Sequence, residues 1–132
     1  MTHAELEAYC LRKPGAYIDF PFGPDSMIIK LKAPSQEKGR IFAQLFDLRG
    51  EHVATFNCER MMGEFWREAY PGAVTRGWHC PPVMQPYFNT VSLDGTVPDE
   101  VLLAMADHAY EAVVAKLPKY QREELAPPQK GA

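Results

Sequence analysis

Tyr87-Phe88-Asn89-Thr90-Val91-Ser92-Leu93-Asp94-Gly95-Thr96-Val97-Pro98-Asp99-Glu100 holds a strand end, a turn and a helix start in one run. Thr90 to Leu93 is rich in β-branched residues and reads as the end of a strand, and Asp94-Gly95 reads as a turn. Thr96-x-x-Asp99 then has the spacing of a helix N-cap. The helix carries Val101, Leu102, Met105, Ala109, Ala112, Val113 and Leu117 on its buried side and ends at Lys116-Leu117-Pro118.

The rest of the chain is read outward from this run. Thr2-His3-Ala4-Glu5 is a capping box, and the helix it opens puts Leu6, Tyr9 and Cys10 on one face before Pro14-Gly15 stops it. Ala16 to Pro24 is aromatic and interrupted by prolines, and is expected to be irregular. Ser26–Lys32, Arg40–Phe46 and His52–Phe56 read as three strands joined by short connections, an antiparallel meander. Asn57 is the expected N-cap of a second helix, with Met61, Met62, Phe65, Trp66 and Ala69 as its apolar stripe. Ala73 to Pro86 is expected to be a long loop with a short strand at Val74-Thr75-Arg76. Lys119 to Leu125 adds a short helix. The fold class is α+β: an antiparallel sheet, meander plus a later strand, with helices packed on one face. Residues 1–125 form one domain and 126–132 a tail.

The strand–Leu93-Asp94-Gly95–Thr96-Val97-Pro98-Asp99-Glu100–helix–Lys116-Leu117-Pro118-Lys119 order resembles the MmcQ/YjbR family of small bacterial proteins. So does Tyr9-Cys10-Leu11-x-x-Pro14-Gly15-Ala16 after the first helix. The resemblance covers about residues 2 to 122 and implies a CyaY-like fold with a double-wing sheet that contacts DNA. Two departures stand out. The family's Asn-Lys-x-His-Trp run is Met84-Gln85-Pro86-Tyr87-Phe88 here, and its Ser-Tyr pair on the last long helix is Ala109-Tyr110. If the polar members of those motifs touch a ligand or phosphates, this chain lacks part of that equipment, and Phe88 suits a packing role better than a binding one.

Composition narrows the function classes. The chain has 132 residues and a net charge of −3, with a pI near 5.8. A field of that sign repels phosphate backbones, so nucleic acid would have to meet a local basic patch. There is no apolar run of membrane-spanning length and no signal-peptide pattern, so the expected compartment is the cytoplasm. Cys10, Cys58 and Cys80 are odd in number and widely spaced, which fits a reducing compartment and not a disulfide framework.

The best candidate site is basic. Lys30, Lys32, Lys38, Arg40 and Arg49 lie between Ser26 and Arg49 against only Glu37 and Asp47, an excess of three positive charges. The loop of residues 33–39 would lie along a phosphate backbone as a wing, giving salt-sensitive, sequence-blind affinity for duplex DNA. The plainer reading is a solvated sheet edge guarded by lysines. His52, Cys58, His79 and Cys80 have no metal-ligand spacing, and Cys10 and Cys58 read as small buried hydrophobes, so no metal site and no cofactor are expected. Cys58 near a helix start, with His52 or His79 as base, lacks any oxyanion motif, so no catalytic residues are assigned. Asp107-His108-x-x-Glu111 reads as a structural histidine beside a wet face, and no dense acidic ridge supports iron binding. The leading reading is a non-enzymatic DNA-binding domain. The alternative is a protein- or small-ligand-binding module with a groove around Tyr17, Phe20, Phe22 and Trp78.

Overall fold

The capping box at the N-terminus is realised in full in the computed structural model, which describes residues 1–77 and 80–126. The Thr2 hydroxyl accepts from the Glu5 amide at 3.1 Å and the Glu5 carboxylate accepts from the Thr2 amide at 2.9 Å, opening α1 (His3–Leu11). Leu6 and Cys10 are fully buried one turn apart.

Six strands follow the alternating and β-branched segments: β1 (Ala16–Asp19), β2 (Ser26–Leu31), β3 (Arg40–Leu48), β4 (Glu51–Asn57), β5 (Val74–Arg76) and β6 (Phe88–Ser92). They form one antiparallel sheet in the order β1-β2-β3-β4-β6-β5. Leu48 and Glu51 are paired across a two-residue turn in which Arg49 (φ 52°) and Gly50 (φ 81°) are both left-handed, the geometry that matches strand twist in a tight hairpin. Opposite Ile29 and Lys30 the register slips at Phe42, so Phe42 and Ala43 are both buried where simple alternation would expose one.

Helices α2 (Arg60–Ala69), α3 (Asp99–Val114) and α4 (Lys119–Leu125) join α1 on the sheet. Ile29, Leu45, Ala54, Phe56 and Val91 share a core with Leu6 of α1, Trp66 of α2 and Leu102, Met105 and Ala109 of α3. Strand alternation turns Lys30, Gln44, Thr55 and Thr90 to the other face. There Gln44 Nε2 donates to Ser26 Oγ at 2.7 Å, and the Thr55 and Thr90 hydroxyls meet at 2.9 Å. The expected α+β class and the helix-covered sheet are therefore present. Among the described residues no helix is long and apolar enough to cross a membrane.

Four local expectations need correction. The segment after α1 is not irregular throughout, because Ala16–Asp19 pairs along β2 as an edge strand. The N-cap of α2 is Glu59 and not Asn57: its backbone is extended and its carboxylate accepts from the Met61 and Met62 amides, both at 3.1 Å. Thr96 does not cap α3, since Pro98 precedes the helix, and the Asp94 carboxylate instead accepts from the Thr96 amide at 2.9 Å to close the turn. The stripe assigned to α2 is rotated: Gly63 and Trp66 are buried, while Met61 (76% exposed), Phe65 (59%) and Ala69 face solvent. Glycine carried no weight in the hydrophobic pattern, yet it is the residue that lets this helix approach its neighbours.

Candidate binding cleft

β4 ends at Asn57, Cys58 follows, and Glu59 turns the chain into α2. Two contacts hold that start in place. The Glu59 amide donates to His108 Nε2 on α3 at 2.8 Å, and the Cys58 amide donates to the Tyr87 carbonyl at 2.9 Å. The His108 ring packs edge-to-face on Trp66, with centroids 5.3 Å apart. Burial holds the imidazole below its ordinary pKa, against the opposing pull of Glu59 and Glu111. The Glu59 carboxyl is held below the usual carboxylate range by the two amides it caps.

Gly63 is the close-approach position of α2. A Cβ there would stand 2.5 Å from Cys58 Sγ, 3.1 Å from an Arg67 guanidinium nitrogen and 3.4 Å from the Pro86 carbonyl. The Gly63 carbonyl accepts from buried Asn89 Nδ2 at 3.2 Å, and Arg67 donates to Asn89 Oδ1 at 2.6 Å. The start of α2, the end of α3 and the helical turn Gln85–Tyr87 thereby enclose a cleft of about 430 Å³. Met84, Tyr87, Phe88, Ala112 and Ala115 supply its apolar walls, Arg60 and Lys116 are exposed cations on its lining, and Asn57, Cys58 and Glu59 complete it. Neither cation makes an ion pair with a described residue. The volume lies in the range of small-ligand sites.

The cleft carries little catalytic equipment. Cys58 is 5% exposed and donates weakly to the Pro86 carbonyl at 3.7 Å. Burial pushes its thiol up to about 11, so proximity to a helix start does not make it a thiolate. Cys10 is pushed up to about 12 for the same reason. Asp107 accepts from the Tyr9 hydroxyl at 2.7 Å and from Lys13 at 2.5 Å, so it ties α3 to α1. The Asp107–His108 pair of the sequence is thus shared between two structural contacts.

The five basic residues do not gather. Lys30 is paired with Asp19 at 2.8 Å, which raises its pKa and lowers that of Asp19. Arg49 sits in the β3–β4 turn, nine residues along the strand from Arg40, or about 30 Å. Lys32, Lys38 and Arg40 do share one end of the β2–β3 hairpin, where Leu31 pairs with Arg40. The loop between these strands folds onto the body: buried Gln36 accepts from the Ala33 amide and donates to the Lys38 carbonyl, and Ser35 donates to Glu124. Tyr17 lies beside Lys30 on the face away from the helices, with its hydroxyl against Gly39. Phe20 lines a different cleft near His3, Phe22 is exposed in the β1–β2 loop, and Trp78 and His79 fall outside the described residues. The cleft itself was not foreseen from the sequence. Its signal was the apolar replacement of a polar run at Met84–Phe88, read there as packing.

Comparison with known proteins follows the same outline. The YjbR family model matches residues 11–112. The YjbR protein of Escherichia coli K12 is 26% identical over 125 residues, 95% of this chain and 98% of that protein. The crystal structure of Deinococcus radiodurans protein DR2400, carrying the domain DUF419, superposes with a TM-score of 0.83 at 28% identity, covering 98% of this chain and 93% of that one. A Pseudomonas syringae protein shares the fold at a TM-score of 0.69 and 14% identity, covering 85% of this chain and 98% of its own.

Proposed function

The chain belongs to the YjbR family, and from that premise we propose that it is a non-enzymatic binding domain for a small apolar ligand bearing an acidic group. The ligand occupies the cleft between α2, α3 and the 85–87 turn. One observation carries this reading: a cleft of about 430 Å³ with apolar walls is lined by two cations, Arg60 and Lys116, neither ion-paired with a described residue, against one carboxylate, Glu59, which is engaged by the Met61 and Met62 amides. Apolar walls supply the driving force and the cations select the acidic end. The sequence supports the same place, because the run in which this chain departs from the family's polar motif supplies Met84, Tyr87 and Phe88 to the walls. The raised pKa of Cys58 and the engaged Nε2 of His108 favour binding over catalysis.

Anilinonaphthalene sulfonate, an apolar ring system with a sulfonate, tests the proposal by fluorescence titration. Ala115→Trp fills the cleft from an exposed helical position and is expected to abolish saturable binding. Lys116→Glu is expected to weaken it at least several-fold, more so at low salt. Saturable binding that both variants leave unchanged would sink the reading.

A second reading has a specific observation of its own, the gathering of Lys32, Lys38 and Arg40 at one end of the β2–β3 hairpin. Three phosphate contacts give a salt slope of about −2.7, so duplex DNA affinity should fall about forty-fold between 50 and 200 mM salt. Five contacts would give a fall of about five hundred-fold. A flat salt response, or no binding at the lower salt, would dismiss nucleic acid as the partner.

A further inference from the structure

At the opposite end of β4 from the cleft, Asp47 and His52 are direct cross-strand partners beside the tight β3–β4 turn. Both point to the helix-covered face, where the first residue of α1, His3, meets them. The His3 and His52 rings stand edge to face at 4.9 Å. One ligand atom from each of His3, Asp47 and His52 lies within 4.8 Å of the other two.

We propose that His3, Asp47 and His52 form a surface site for a divalent first-row transition metal, with zinc and cobalt(II) as the best-suited ions. The hydrogen bonds support this beyond proximity. His3 Nε2 lies 2.9 Å from the Val53 carbonyl, which can only accept, so that nitrogen carries the proton and Nδ1 keeps its lone pair. His52 Nδ1 lies 2.5 Å from Asp47 Oδ1, so a metal ion would displace the proton they share and make Nδ1 and the carboxylate neighbouring ligands, with Nε2 carrying the ring's N–H. His3 thus gives one N–H to a carbonyl and holds its other nitrogen ready, the outer-shell pattern of metal-bound histidines. Asp47 supplies a carboxylate oxygen as the third donor.

Two imidazoles and one carboxylate favour zinc-like ions over calcium or magnesium, which prefer oxygen alone. Ligands at about 2.1 Å in tetrahedral geometry stand about 3.4 Å apart, so atoms that lie within 4.8 Å of one another must close by at most about 1.4 Å. The His52 and Asp47 side chains are exposed at 70% and 60%, and apart from the His3 ring and each other they have room to adjust. His3 lines two clefts, of about 490 and 430 Å³, that also include Asp47 and His52 respectively, so water can complete the coordination. The site lies five strand residues from the binding cleft, about 17 Å, and does not depend on that cleft's function.

Zinc titration of the full chain by calorimetry, with cobalt(II) absorption as a second readout, tests the site. One equivalent is expected to bind and to raise the melting temperature. His52→Ala and Asp47→Asn should each weaken binding at least tenfold, the lower bound for losing even an outer-shell partner. Both positions are exposed, so metal-free melting temperatures should match the parent and certify folding. Cys80→Ser should leave binding unchanged. No one-to-one zinc binding, or binding insensitive to His52→Ala and Asp47→Asn or lost with Cys80→Ser, would overturn the proposal.

Discussion

Gly63→Ala sets two effects of opposite sign against each other. In an exposed helix interior, the change stabilises by about 1 kcal/mol through backbone entropy. At Gly63 the new methyl would stand 2.5 Å from Cys58 Sγ and 3.4 Å from the Pro86 carbonyl. Carbon-sized atoms rest at about 3.5–4.0 Å, so the thiol must retreat by about 1 Å or more. Cys58 is 5% exposed and its amide is held by the Tyr87 carbonyl, so the thiol can retreat only toward the cleft it helps to line, giving up its contact with the Pro86 carbonyl. Overpacking of this kind costs about 1–3 kcal/mol. The net expectation is a loss of about 1 kcal/mol, or about 4 °C in melting temperature for a chain of this length. Urea unfolding followed by circular dichroism measures it. Combining Gly63→Ala with Cys58→Ala removes the colliding sulfur, so the double-mutant cycle should show a favourable coupling of about 1–3 kcal/mol. A stabilisation of about 1 kcal/mol by Gly63→Ala alone would refute the close packing of α2 on the cleft wall.

Two further outcomes are expected. Asn89→Leu should destabilise by about 2 kcal/mol or more, read by urea unfolding, because it strips Arg67 and the Gly63 carbonyl of their shared buried partner. Stability should fall as pH drops below about 6.5, because the His108 pKa is lowered in the folded state and the unfolded chain takes up more protons there. That contribution is complete above the unfolded value and is lost as pH falls through the folded one. The carboxyls with lowered values, Glu59 and Asp19 among them, add their loss only below about 4.5. His108→Gln should flatten the segment just below pH 6.5, and an unchanged slope would contradict the burial of the His108 ring.

The sheet, its order through the meander and the long α3 were legible because alternation and turn chemistry agree along those segments. Leu31, Ala43, Leu45, Ala54 and Phe56 all bury as period two requires, and Asp94-Gly95 turns where it should. The edge strand Ala16–Asp19 escaped because all four residues are half-buried and show no alternation. The rotation of α2 escaped because its contact residue is Gly63, invisible to a hydrophobic count, while the exposed Met61 and Phe65 mimic a core stripe. Charge density along β2 and β3 marked the basic residues, but sequence proximity hid Asp19 beside Lys30 and the length of strand separating Arg40 from Arg49. The cleft draws on residues from 57 to 116, a convergence that only the fold supplies. His3, Asp47 and His52 meet for the same reason, two from a hairpin and one from a helix start.

Amide chemical-shift mapping in a ¹⁵N-labelled sample titrated with anilinonaphthalene sulfonate tests the central claim most directly. The expected result is a saturable set of shifts confined to residues 57–60, 84–88 and 112–116, absent in Ala115→Trp. Shifts concentrated at Lys32, Lys38 and Arg40, or spread without saturation over the sheet, would contradict a ligand site between α2, α3 and the 85–87 turn.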